Sequence, residues 1–194
     1  MSDFWFYIKL GFDHVLDFGA YDHILFLAAL AVPFAFKDWR RVVLLATIFT
    51  ITHCASLALS VYKVVSVEVS LIEFLIPVTI AITAVLNILW VMKRRNTFKI
   101  GAVELATAFF GLIHGFGFSN YFNMLMAEET EKLTPLLGFA TGIELSQVVI
   151  ILAVLVIGNL IQGVFKVKKK HFILVASLLI VVITIPMLLQ TFPS

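Results

Sequence analysis

Long apolar runs broken by short polar connectors dominate the chain. Six of them, at about 20–36, 42–62, 70–92, 101–121, 138–165 and 172–191, approach or exceed the ~20 residues that a helix needs to cross a bilayer. Lipid offers the backbone no hydrogen-bond partner, so such runs predict an all-α bundle of about six membrane-spanning helices. Residues 1–19 follow a different pattern. Phe4, Trp5, Phe6, Ile8 and Leu10 alternate with Asp3, Lys9, Asp13, His14 and Asp17, which predicts an amphipathic N-terminal helix lying at the membrane interface. The cationic stretch and apolar run of a secretory signal peptide are missing from it. The whole of 1–194 reads as a single integral-membrane domain.

Composition agrees and narrows the class. The 194 residues are 61% hydrophobic and 13% charged, with a mean hydropathy of +1.06; soluble domains carry about 25% charged residues. A water-soluble domain is excluded. Of the 14 basic residues, Lys37, Arg40 and Arg41 follow the first run, Lys93, Arg94, Arg95 and Lys99 the third, and Lys166, Lys168, Lys169 and Lys170 the fifth. These alternate connectors share one side, which the positive-inside rule assigns to the cytoplasm, so both termini are expected outside. Glu128, Glu129 and Glu131 then form a solvated outer loop. The basic residues make no continuous stripe, and no nucleic-acid partner is expected. The lone Cys54 allows no internal disulfide and no paired-cysteine metal motif.

Ionisable residues inside the runs carry the functional signal, because a charge at the bilayer centre costs at least ~2.5–3.5 kcal/mol. Asp22 and His23 lie near the outer start of the first run, His53 in the outer half of the second, Glu73 near the start of the third, His114 in the fourth and Glu144 in the fifth. At ~1.5 Å per residue, His53, His114 and Glu144 sit at similar depth. Five helices thus aim ionisable groups at one outward-facing cavity. Imidazoles with carboxylates suit a divalent transition metal such as Zn²⁺ or Ni²⁺, with Fe²⁺ and Co²⁺ close behind, and do not suit Cu(I). The expected ligands are His23, His53, His114, Asp22 and Glu144, with His14, Glu73 and Gln147 as additional candidates. The competing account is a hydrogen-bonded network that only locks helices together. Gly111, Gly115 and Gly117 surround His114 and permit close helix approach or a local opening. Asn87 and Glu104 lie nearer the cytoplasmic end, where they would extend an ion route or simply meet the interface.

Four segments resemble a known family: Asp22 to Leu30 (DHILFLAAL), Thr50 to Leu57 (TITHCASL), Gly111 to Phe118 (GLIHGFGF) and Gly142 to Gln147 (GIELSQ). In this order they are similar to the HupE/UreJ proteins, small polytopic membrane proteins regarded as nickel permeases. The resemblance implies uptake of Ni²⁺ or a similar cation across the cytoplasmic (inner) membrane of a bacterium. Permease members have five residues between the first-helix histidine and Asp-His, whereas seven separate His14 from Asp22. Phe110 and Gly117 also replace the first histidine and the final acid of a second permease signature. The chain looks closer to the second, less characterised HupE/UreJ branch.

Transport of a metal cation through this site is the leading expectation. The alternative is an intramembrane zinc-dependent hydrolase of the alkaline ceramidase type, acting on a lipid or peptide amide or ester; a metal cation or small substrate, and membrane lipid, are the expected partners. His23, His53 and His114 would then hold the metal, and Asp22, Ser56 and Glu144 would supply base and hydroxyl.

Overall fold

The structure, a computed structural model, describes residues 2–93, 101–127 and 129–193. Arg94, Arg95, Lys99 and Glu128, assigned above to connectors, lie outside the described residues. Seven α-helices follow in order: α1 (Ser2–Val15), α2 (Asp22–Ala31), α3 (Trp39–Val61), α4 (Val69–Met92), α5 (Ala102–Leu125), α6 (Leu133–Val164) and α7 (Lys169–Gln190). A short 3₁₀ turn, Phe36–Asp38, leads into α3, and there is no strand among the described residues. The helices α3 to α7 are long and apolar enough to cross a membrane.

The first apolar run behaves differently. Only Asp22–Ala31 is α-helical, ten residues rising about 15 Å, half of a ~30 Å hydrocarbon core. Pro33 marks the stop, because it has no backbone N–H to donate to the helix, although Val32 before it still holds helical angles. What completes this layer is α1. It runs alongside the first half of α6 in the same direction, Phe4 facing Gly138 and Ile8 and Phe12 facing Gly142. A Cβ at Gly142 would fall on the Ile8 carbonyl oxygen, so the two backbones touch only because glycine stands there. Tyr7 and Val15 are buried in this contact, while Trp5 and Phe6 stay exposed on the opposite face. The Tyr7 hydroxyl donates to Glu129 across 3.0 Å.

A second glycine seam joins α3 to α5, which also run parallel. Gly111 rests on Phe49 and Thr52, and Gly115 rests on His53 and Ser56. Two residues four apart without side chains bring these helices into backbone contact. Beyond the seam, Asn123 donates to the Ser60 hydroxyl at 2.8 Å. The helix α6 runs antiparallel to α3, and α7 packs chiefly on α4 at the edge. At the end where α3 and α5 begin, Arg41 faces Glu104 at 3.6 Å. This is the basic end of the bundle, shared by Lys37, Lys93 and the lysines between α6 and α7.

Candidate metal centre

The break between α1 and α2 sets the geometry of the centre. The last turn of α1 carries His14, and α2 opens with Asp22 and His23. His14 and His23 therefore approach from two helix ends, with ring centres 4.6 Å apart. From α3 comes His53, 5.6 Å from the His23 ring and 5.9 Å from the His14 ring. From α5 comes His114, 5.3 Å from His23. Two overlapping groups result, His14 with His23 and His53, and Asp22 with His23 and His114; within each, the potential ligand atoms lie within 4.8 Å of one another.

Packing and hydrogen bonding aim these rings. The two parallel seams fix α1 on α6 and α3 on α5, so His53 and His114 are held against each other through Gly115. His53 is fully buried, and His114 and His23 are nearly so. Phe26 and Phe49 lie 5.2 Å from His114, and Phe118 lies 3.9 Å from His14. Phe139, also fully buried, closes the side toward α6 at 5.7 Å from His14. Asp22 and His14 stay partly exposed at the α1–α2 break, beside the exposed residues 17–20.

Ring nitrogens decide the chemistry. Asp22 Oδ1 lies 3.0 Å from His23 Nδ1; a carboxylate there accepts the hydrogen bond from Nδ1–H, which keeps the proton on Nδ1 and leaves the lone pair on Nε2. The Thr79 hydroxyl donates to the Ile76 carbonyl at 2.7 Å, so its oxygen accepts from His114 Nε2 at 3.1 Å. That assignment, made from the hydrogen-bond pattern, leaves His114 Nδ1 with the lone pair. Among the described residues, His23 Nε2 and His114 Nδ1 have no hydrogen-bond partner, nor have His14 Nε2 or either nitrogen of His53. Leaving a buried polar atom unpaired costs about 1–3 kcal/mol. A cluster that only locked helices together would pair these atoms. One lone pair from each of these four rings instead forms a donor set of the kind that borderline divalent cations take.

The other predicted residues stand elsewhere. Glu144 is on the α3–α6 contact, accepting from Thr47 and Thr50, each at 2.6 Å. Thr50 also reaches Gln147 Oε1 at 3.3 Å, so Gln147 belongs to that arrangement. Glu73 is exposed on α4. The Ser56 hydroxyl donates to the His53 carbonyl at 2.8 Å and is buried under Gly115. Asn87 donates to the Ala29 carbonyl at 2.7 Å. Glu104 accepts from the Gly101 amide at 2.6 Å besides facing Arg41. Thr79 is the site residue that sequence reasoning missed; its one signal is a hydroxyl on α4 two residues past Pro77.

A multi-pass helical membrane protein with an intramembrane imidazole cluster is thus defined. The chain belongs to the HupE/UreJ family, whose profile, described as HupE / UreJ protein, matches residues 1–191. Membership points to the handling of a transition metal, nickel or cobalt, and gives no support of that kind to zinc. No curated protein and no solved structure matches the chain.

Proposed function

We propose that this protein carries a divalent nickel-type cation across the membrane, and that His14, His23, His53 and His114 bind the ion on its way. The carrying observation is that four clustered imidazoles each keep a buried ring nitrogen without a partner. Asp22 acts on His23, and Thr79 on His114, each holding a proton on the nitrogen turned away from the centre. Asp22 also brings a negative charge beside the incoming cation, which offsets part of the cost of removing its water.

Entry is by the α1–α2 break, where Asp22 and His14 retain exposure. Toward the basic end Phe26, fully buried, closes the floor. This is the arrangement of a carrier open on one side, with the basic end in the cytoplasm as charge asymmetry prescribes. The hydrolase reading draws less support, since Ser56 and Glu144 are engaged away from the imidazoles.

The test is uptake of Ni²⁺ into proteoliposomes loaded with a metal-sensitive dye. Wild-type protein should fill the vesicles, and His53→Ala and His23→Ala should abolish the flux while folding normally. Flux unchanged in both variants would overturn the proposal.

A further inference from the structure

On the basic side of Phe26 lies a cavity of about 350 Å³ between α2, α4 and α5, within the ~300–1,000 Å³ range of ligand pockets. Its walls are apolar: Phe26, Ala29, Leu30, Leu86, Trp90 and Phe110. The polar groups that reach it are already engaged with backbone. Thr83 donates to the Thr79 carbonyl and Thr107 to the Val103 carbonyl, each at 2.8 Å, and the Asn87 amide is held by Ala29. Such a wall does not replace the water of a divalent cation, which requires converging oxygens or imidazoles. At the basic end the lining terminates in Lys93, which is exposed, and Arg94, Arg95 and Lys99 follow in the sequence.

An apolar slot with a cationic mouth matches one ambient molecule in shape and charge. We infer that the cavity between α2, α4 and α5 binds one acyl chain of an anionic phospholipid, whose head group is held by Lys93. Basic pockets between membrane helices on the positively charged side attract anionic head groups in this way. The chain tip reaches Phe26, whose other face packs on His114 and Phe49. A bound lipid therefore keeps water from the floor of the imidazole cluster. This inference stands on the cavity alone and not on the metal reading.

The experiment uses the full chain carrying Trp5→Phe and Trp39→Phe, so that Trp90 is the sole tryptophan, in nanodiscs of phosphatidylcholine. Phosphatidylglycerol with a dibrominated acyl chain is titrated in, and quenching of Trp90 is followed. Saturable quenching is expected, about fivefold tighter than with dibrominated phosphatidylcholine. Lys93→Gln should erase that preference, and Ala106→Phe, which fills the slot, should erase saturable quenching from both lipids. Thermal unfolding of the same variants, followed by far-ultraviolet circular dichroism, reports folding separately. Quenching that is non-saturable, or that is unaffected by Ala106→Phe, would overturn the inference whatever becomes of metal binding.

Discussion

The imidazoles of His14 and His23 meet with their ring centres 4.6 Å apart although the turn at 16–21 separates their helices. On one continuous helix the nine-residue step between them would put them ~13.5 Å apart along the axis. The break closes that distance and makes His14 a member of the cluster. His14→Ala should accordingly lower Ni²⁺ affinity along with His23→Ala and His53→Ala, by about a hundredfold or more for the two buried residues. His171, which follows the lysines at the basic end, serves as the control. Calorimetric titration in detergent checks this; equal affinity in all the variants would dismiss the cluster.

Thr79 makes a sharper test because it touches no metal in the proposed arrangement. Its oxygen holds the His114 proton on Nε2 and leaves Nδ1 toward the centre. Thr79→Val removes the acceptor with little change of shape and should weaken Ni²⁺ binding about 10–100-fold. Thr79→Ser should restore most of it. A purely structural role would show instead as lost thermal stability in Thr79→Val with affinity intact.

The parallel α3–α5 seam predicts coupled stability and function. A Cβ at Gly115 would fall on the Ser56 hydroxyl and the His53 carbonyl, and backbone cannot yield as a side chain does. Gly115→Ala should destabilise the protein by about 1–3 kcal/mol through overpacking and, by moving His53 from His114, reduce metal affinity too. At Gly163 an added Cβ meets nothing within 4 Å, so Gly163→Ala should be near neutral. Thermal unfolding in detergent separates the pair.

Much of this architecture is legible in apolar run length. The five runs that became α3 to α7 continue as single helices, α4 and α7 even through Pro77 and Pro186, whereas in the first run α2 stops at Ala31, two residues before Pro33. Depth arithmetic placed His53 and His114 at one level, and the structure does set both beside His23. Depth says nothing of azimuth, however. Glu144 has the right height and faces Thr47 and Thr50. Glu73 faces outward. The reach of His14 depends on a helix break, and the role of Thr79 on a contact between residues 35 apart in sequence; no local pattern encodes either.

At the opposite end from the basic connectors, Glu131 caps α6. It accepts from the Leu133 amide at 2.6 Å and from the Thr134 amide at 2.9 Å. Hydrogen bonds from Thr134, side chain and backbone, and from the Leu133 amide hold its carboxyl below the ordinary glutamate range. A carboxyl depressed in the folded state adds stability above its unfolded pKa, ~4.3, and loses it as pH falls through the lower folded value. Amide exchange at Leu133 and Thr134 should therefore be faster in Glu131→Gln than in wild type at neutral pH, and the gap should close in acid. A gap that persists below both pKa values would mean that shape, not charge, holds the cap.

Glu144 supplies the last prediction, because it separates binding from movement. Both carboxylate oxygens are engaged by threonine hydroxyls at 2.6 Å, and it belongs to neither group of potential ligands. Glu144→Gln should then leave equilibrium Ni²⁺ affinity close to wild type. The threonines lie on α3, the helix that also carries His53, so loosening their grip frees α3 against α6. Thr50→Val should destabilise the chain by about 1.5–3 kcal/mol, the range for a hydrogen bond to a charged group, and the double variant with Glu144→Gln should be less than additive if the two act through one contact. Equilibrium titration and thermal unfolding of the four proteins provide the cycle. A collapse of Ni²⁺ affinity in Glu144→Gln alone, with stability preserved, would instead bring this carboxylate into the metal centre and require α6 to rotate toward the histidines.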